Sequence, residues 1–215
     1  MTFPPAPLAA SPARTDTTPP PPASIPPLPP VLPLVPAAAE RIFAGKASRK
    51  HVMPQETINE VLVTQARSGR RVVRLKGGDP FIFGRGSEEA LHLARHRIPF
   101  EIVPGITASM GCAAYAGIPL THRGLSKGVH FVTGHMADNG ELDLDWDHLA
   151  DPDTTLVIYM GLMKINRICN SLVEAGLPKT TPAAAIQNGH IGADRTPVRV
   201  SNGADVAHHR LCVIG

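Results

Sequence analysis

Val72-Val73-Arg74-Leu75-Lys76-Gly77-Gly78-Asp79-Pro80-Phe81-Ile82-Phe83-Gly84-Arg85-Gly86 holds a strand, a turn and the start of a helix in one stretch. The β-branched run at its head predicts a buried strand over Val72–Leu75. Gly77 and Gly78 break that strand, and Gly84 and Gly86 precede Ser87-Glu88-Glu89-Ala90, a good helix start. Strand, glycine turn, acid and helix is how an α/β protein builds a ligand cradle at the carboxyl end of a strand. A glycine pair lets a ligand approach the backbone closely. Asp79 can accept hydrogen bonds from hydroxyls or an ammonium. The same spacing also fits a tight turn with a solvated Asp79, and the residues alone leave both readings open.

Outward from this stretch, strand and helix patterns alternate, so the class is α/β. Pro54 to Gly69 has helical periodicity, with Ile58, Val61, Leu62 and Gln65–Ala66 on one face, Pro54 in the first turn and Gly69 at the stop. Ser87 to His96 is a second helix. Phe100-Glu101-Ile102-Val103 is a strand that Pro104-Gly105 turns into a third helix, beginning near Ile106. Thr107 sits near that helix start, where N–H groups and a hydroxyl suit a polar ligand; an ordinary cap is the alternative. Leu120 to Gly128 reads as a connection between two lobes. Arg123 within it could bind a carboxylate with its planar fork, or the segment is a hinge pinned by hydrogen bonds. Val129–Thr133, Thr155–Gly161 and Ala183–Ile186 are strands, and Lys164 to Gly176 is an amphipathic helix. Val213-Ile214-Gly215 could open a closing strand. Before residue 54, Ile42–Lys46 reads as a short strand. Residues 1–40, rich in Pro, Ala, Ser and Thr, predict a disordered or polyproline tail.

Leu75 to Gly86, followed by Val103-Pro104-Gly105-Ile106-Thr107-Ala108-Ser109, resembles the uroporphyrinogen-III C-methyltransferase family. Gly117-Ile118-Pro119-Leu120-Thr121-His122-Arg123 and Val132-Thr133-Gly134-His135 fit it as well, over about Arg41 to Gly189. The resemblance implies the tetrapyrrole-methylase fold, two α/β lobes with the active site in the cleft between them. It implies S-adenosylmethionine (SAM) as cofactor, held by Gly77, Gly78, Asp79, Ile82, Thr107, Ala108, Met160 and Gly189. The implied reaction methylates uroporphyrinogen III at C2 and C7 to give precorrin-2, for sirohaem or cobalamin. Lys46 falls where the family carries its proton donor, and His122 and Arg123 would meet substrate. Three scattered cysteines make a reducing cytosol the simple reading, and the resemblance implies a homodimer. On this basis residues 1–40 are a tail, 41–122 an N-terminal lobe and 123–215 a C-terminal lobe. The family's opening strand, its Gly-Pro-Gly-Asp loop and a following Tyr-Asp pair have no counterpart here. Asp16, the only acid of that type before Asp79, lies among prolines. The first lobe is therefore expected to lack its opening elements, and the second its end. Two alternatives follow: a non-catalytic SAM-binding relic, or a methylase of a later precorrin. A proline-tailed adaptor is a third.

Composition narrows the field. The chain has 215 residues and a net charge of +3, from 21 basic and 18 acidic residues. That charge is too small and dispersed for a nucleic-acid surface, and one Trp with two Tyr supplies few stacking platforms. Cys112, Cys169 and Cys212 are far apart and form no C-x-x-C, so neither a disulfide framework nor a zinc knuckle is indicated. No apolar run reaches the roughly 18 residues of a membrane span. His92 and His96 stand at i and i+4, a zinc-compatible spacing. No Glu follows His92 and the sequence shows no third ligand, so no metal is expected and the pair reads as a wet helix face.

Overall fold

The computed structural model describes residues 32–44, 53–135 and 142–186, together with the backbone of 211–214. Its contacts divide the chain into two units, residues 1–52 and 53–215. In the first unit the chain makes a 3-10 turn at Leu32–Leu34, and the Arg41 guanidinium donates to the Val35 carbonyl at 3.4 Å. Ile42 to Ala44, expected as a strand, forms no ladder among the described residues, and Phe43 is exposed. Gly45 and Lys46 lie outside the described residues.

The second unit opens with helix α1, Gln55–Arg67. Pro54 is its N-cap and Gly69 follows its end with φ +77°, the left-handed turn expected there. Ile58, Leu62 and Val63 are buried, so the apolar stripe is turned by one residue from the one the periodicity suggested. Helix α2 spans Gly86–Arg95 and helix α3 Ala108–Ala116, as the sequence predicts. α1 is tied to α2 by the buried carboxylate of Glu89. Its Oε1 accepts from Lys76 Nζ at 2.9 Å, Gln55 Nε2 at 3.1 Å and Arg74 Nε at 3.3 Å. A buried carboxylate holding two cations and an amide is satisfied, and its donors lock the chain before the glycine turn onto α2.

The two strands expected in this region do not form. Val72–Leu75 and Phe100–Val103 run without secondary structure, Val73 is 80% exposed and Val103 76%. A strand is stable only when a neighbour takes its N–H and C=O groups, and among the described residues none pairs with either segment. Their apolar composition predicts strands, but among the described residues no strand lies beside them to pair with.

The sheet belongs to the second half. β1 (Gly128–Thr133), β2 (Thr154–Tyr159), β3 (Ala183–Ile186) and β4 (Leu211–Ile214) form one sheet in the order β1-β2-β4-β3. All three pairings are parallel, with Val132 opposite Ile158, Ile158 opposite Val213, and Ala185 opposite Val213. The closing segment thus sits inside the sheet, between β2 and β3, and not at an edge. β2 is nearly continuous in apolar residues because a parallel strand is covered on both faces. The alternation of side chains sends Val157 and Tyr159 to one face and Leu156 and Ile158 to the other. On the first face they pack with Cys112, Ile118, Ala184 and Ile186, with Ile82 and Ala108 against them. On the second they pack with Leu142, Ala185, Ile168 and Leu172, the last two from helix α5, Ile165–Glu174. A one-turn helix, α4 (Trp146–Leu149), is capped by the Asp145 carboxylate, which accepts from the His148 N–H at 3.2 Å. Among the described residues no helix is long and apolar enough to cross a membrane.

Candidate functional site

The glycine turn of residues 77–86 is held by backbone crowding and one carboxylate. Gly78 has φ +72°, which a residue with a Cβ adopts reluctantly. A Cβ there would stand 3.6 Å from Ala108 N and 3.7 Å from the Thr107 Cα, so the turn lies against the start of α3. A Cβ on Gly77 would meet nothing within 4 Å, which leaves open space over the turn. A Cβ on Gly105 would collide with the Gly78 carbonyl oxygen. Only glycine lets residues 78 and 105 approach this closely.

Asp79 joins the same two segments. Its Oδ1 accepts from Phe81 N–H at 2.8 Å and its Oδ2 from Gly105 N–H at 3.1 Å. The Gly105 and Phe81 N–H groups hold the carboxyl below its ordinary range, since both favour the charged form. Both oxygens keep a second lone pair for a ligand. The carboxylate is therefore a brace for the turn as well as a candidate contact, which merges the two readings that the spacing left open.

A lowered carboxyl pKa sets the sign of a pH dependence. The bracing is fully present above the ordinary Asp value and is lost as pH falls through the lowered one. The stability difference between the protein and Asp79→Asn is expected to be largest at neutral pH and to shrink on acidification below about pH 4. Denaturant unfolding at a series of pH values reads this directly. A difference constant down to about pH 2 would place the brace elsewhere.

The start of α3 is joined to the carboxyl end of β2 by the Tyr159 hydroxyl. This one oxygen meets Thr107 Oγ1 at 2.5 Å, accepts from Ser109 N–H at 2.9 Å and donates to Ser109 Oγ at 2.7 Å. A phenol offers one proton and two lone pairs, so all its capacity is used. Thr107, the N-cap of α3, makes no cap with its own side chain. Tyr159 supplies the acceptor that a cap would, from another element. Thr107 and Ser109 are buried, so the Thr107 hydroxyl, expected to face a ligand, is spent on Tyr159. The Phe83 ring lies tilted at 52° against the Tyr159 ring, with centroids 4.8 Å apart.

Met160 follows directly, in the left-handed region at φ +57° and half exposed. Phe83 and Arg85, in the glycine turn, also have positive φ, at 51° and 56°. Non-glycine residues in this conformation cluster at ligand-binding turns. Gly134 N–H donates to the Tyr159 carbonyl at 2.6 Å, and a Cβ on Gly134 would stand 2.7 Å from the Gly161 Cα. The carboxyl ends of β1 and β2 thus meet at two glycines.

Of the residues the sequence nominated, Gly77, Gly78, Asp79, Thr107 and Ala108 come together, and Ile82 packs beneath them against the Tyr159 face of the core. Met160 is attached to the same cluster through Tyr159. His122 and Arg123 lie on the connection between α3 and β1. The His122 ring bonds the Arg123 carbonyl at 2.9 Å, and the His122 and Ser126 backbones pair. Ser126 Oγ, buried, meets Thr155 Oγ1 at 2.8 Å and the Gly128 carbonyl at 3.0 Å, so this connection is pinned, as the structural alternative had it. The Arg123 side chain is exposed. Lys46 and Gly189 lie outside the described residues. Tyr159, Phe83, Ser109 and Gly105 were not singled out by sequence. Phe83, Gly105 and Ser109 lie inside the family motifs without a role of their own, and Tyr159 reads only as the end of a strand.

A family model described as Tetrapyrrole (Corrin/Porphyrin) Methylases matches residues 22–200. Among curated proteins, the chain is 55% identical over 159 residues to a siroheme synthase of Nitrosomonas eutropha, covering 74% of this chain and 33% of that protein. It is 59% identical over 149 residues to a siroheme synthase of Nitrosospira multiformis, covering 69% and 31%. The chain spans about a third of the length of these relatives. Among solved structures, the native uroporphyrin III C-methyltransferase of Thermus thermophilus superposes with a TM-score of 0.64 at 36% identity, over 80% of this chain and 71% of that one. The Thermus thermophilus enzyme complexed with S-adenyl homocysteine gives 0.52 at 42% identity, over 60% and 55%.

Proposed function

We propose, because the chain belongs to the tetrapyrrole (corrin/porphyrin) methylase family, that it transfers methyl groups from SAM to ring carbons of uroporphyrinogen III. The observation that carries this reading is the convergence of the Gly77-Gly78-Asp79 turn, the start of α3 and the carboxyl end of β2 through Asp79 and Tyr159. A parallel sheet offers its ligands the carboxyl ends of its strands, and Tyr159–Met160 is such an end.

The residues present fit the cofactor. Gly77 leaves space over the turn, and Gly78 exposes main chain beside Ala108. Asp79 keeps lone pairs for hydroxyls or an ammonium, and Met160 offers a soft, adaptable side chain beside the cluster. In this reading Gly77, Gly78, Asp79, Ile82, Thr107, Ala108, Met160 and Gly189 hold SAM, with Thr107 acting through its main chain. When bound, SAM supplies an electrophilic methyl on a sulfonium. An electron-rich pyrrole carbon is the nucleophile, so no Ser or Cys nucleophile is required. Transfer would exchange the S–CH₃ bond for a C–C bond and release S-adenosylhomocysteine, and this chain's residues would have to accept the proton that the alkylated macrocycle loses. The protein's task is to align methyl and carbon, and proximity of this kind is worth about 7–11 kcal/mol. Lys46 is assigned to proton transfer, and His122 and Arg123 to the substrate's carboxylates. Two lobes meeting near residues 122/123, a homodimer and a cytoplasmic location belong to the same reading.

A second reading, a methylase of a later precorrin, draws on likeness to a cobalt precorrin-4 methyltransferase, at 25% identity and a TM-score of 0.60. The test separates them. Purified protein kept anaerobic is expected to transfer labelled methyl from SAM to uroporphyrinogen III. Lys46→Met is expected to slow it by about a hundredfold, the usual scale of acid–base assistance. Turnover of a later precorrin but not of uroporphyrinogen III would favour the second reading. Binding of S-adenosylhomocysteine without turnover of either would leave a cofactor-binding relic.

A further inference from the structure

α1 and α2 present one cluster that the methylase reading does not use. His92 and His96 stand one turn apart on α2, their rings 4.5 Å apart at 35°. Glu60, on α1, brings its Oε1 to 3.3 Å from His92 Nε2. One ligand atom from each of Glu60, His92 and His96 lies within 4.8 Å of the others. The sequence pair therefore gains the carboxylate that its own helix does not supply.

The hydrogen bond at the His96 ring is that of a metal ligand. His96 Nδ1 lies 2.9 Å from the His92 carbonyl oxygen. A carbonyl can only accept, so Nδ1 carries the proton and a neutral His96 has its lone pair on Nε2. Ligating histidines are oriented in this way, by the second ring nitrogen donating to a carbonyl. His92 Nε2 is buried from solvent and has no hydrogen-bond partner. Its nearby oxygen, on Glu60, is outside hydrogen-bonding geometry despite the 3.3 Å separation. A buried polar atom without a hydrogen-bond partner is unfavourable, and a metal ion would satisfy it.

We infer that Glu60, His92 and His96 form a divalent transition-metal site that clips α1 to α2, binding Zn²⁺ with a water as fourth ligand. Two imidazoles and a carboxylate suit Zn²⁺, with bonds of about 2.0–2.1 Å. Adjacent ligands of such a tetrahedral ion stand about 3.3–3.4 Å apart, the separation already found between Glu60 and His92. The remaining adjustment falls most easily on Glu60, whose side chain is 64% exposed. The site sits on the helix that the Asp79 turn leads into, so the ion would brace the turn's exit.

The full chain, stripped of metal, is titrated with Zn²⁺ against a chromophoric chelator, and Co²⁺ is then used as a spectroscopic probe. One tight equivalent of Zn²⁺ is expected, with a Co²⁺ spectrum of nitrogen and oxygen ligation. Glu60→Gln, His92→Gln and His96→Gln are each expected to weaken binding about tenfold or more. The chain has ten histidines, so a His208→Gln/His209→Gln variant serves as the control and should bind as the parent does. Failure of the parent to bind stoichiometrically overturns the proposal whatever the variants do. So does undiminished binding in a folded His92→Gln/His96→Gln protein, or loss of the tight equivalent in the control. Should that double variant not fold, Glu60→Gln, at an exposed position, decides the question alone.

Discussion

Gly105→Ala is expected to destabilise the protein by about 3 kcal/mol, the upper end of overpacking, and to abolish S-adenosylhomocysteine binding. The added Cβ would collide with the Gly78 carbonyl oxygen and stand 3.0 Å from the Gly78 carbonyl carbon. Both atoms are backbone, so no flexible side chain can swing aside. Relief requires the two segments to separate. That breaks the Gly105 N–H bond to Asp79 and opens the turn from the start of α3. Gly111→Ala is the control within the same region. A Cβ at Gly111, inside α3, meets only Ile106 Cγ2, at 3.8 Å. Replacing this helical glycine should stabilise by about 0.5–1 kcal/mol. Urea unfolding of both variants, with calorimetric titration of S-adenosylhomocysteine, measures the pair. A Gly105→Ala protein as stable as Gly111→Ala would show that the turn and α3 are not in contact.

Tyr159→Phe is expected to cost about 2–4 kcal/mol, although it removes a single oxygen. The ring remains and keeps its contacts with Phe83 and with Phe131, whose centroid is 6.2 Å away. What disappears is the common partner of Thr107 Oγ1, Ser109 Oγ and Ser109 N–H, all at buried residues. The Ser109 N–H is in the first turn of α3, where no carbonyl of the helix can reach it. Left bare, it carries the penalty of an unsatisfied buried donor. The consequence for activity follows from position. α3 begins at the residues assigned to the cofactor, so a frayed first turn should weaken S-adenosylhomocysteine binding as well as stability. Binding measured at a temperature where the variant is still fully folded separates the two effects. Unchanged affinity there would mean that Tyr159 supports the core and not the site.

The order of elements from residue 54 onward was written in local signals. Pro54 and Gly69 bracket α1, Gly86 opens α2, Gly117 closes α3 with φ +69°, and Gly176 follows α5 with φ +102°. These are properties of single residues and their near neighbours, which a sequence displays directly. The parallel strands were legible for a related reason. A strand covered on both faces reads as a nearly continuous apolar run, and Leu156-Val157-Ile158 within Thr154–Tyr159 is one. The motifs from Leu75 to Ser109 carried the family, and the site's glycines and Asp79 with it.

Other features depend on residues distant in sequence, and no local pattern encodes them. Whether Val72–Leu75 and Phe100–Val103 become strands depends on a partner for their backbone groups, and composition cannot supply one. The place of Leu211–Ile214 between β2 and β3 is a matter of pairing across the sheet. Tyr159 became the cap of α3, and Glu60 the neighbour of His92, only because packing brought those elements together. The sequence determined where the helices and turns of the described residues fall, because those choices are made over a few residues. Tertiary structure alone decided who satisfies each buried polar atom, because hydrogen bonds and metal ligands are set by distance in space.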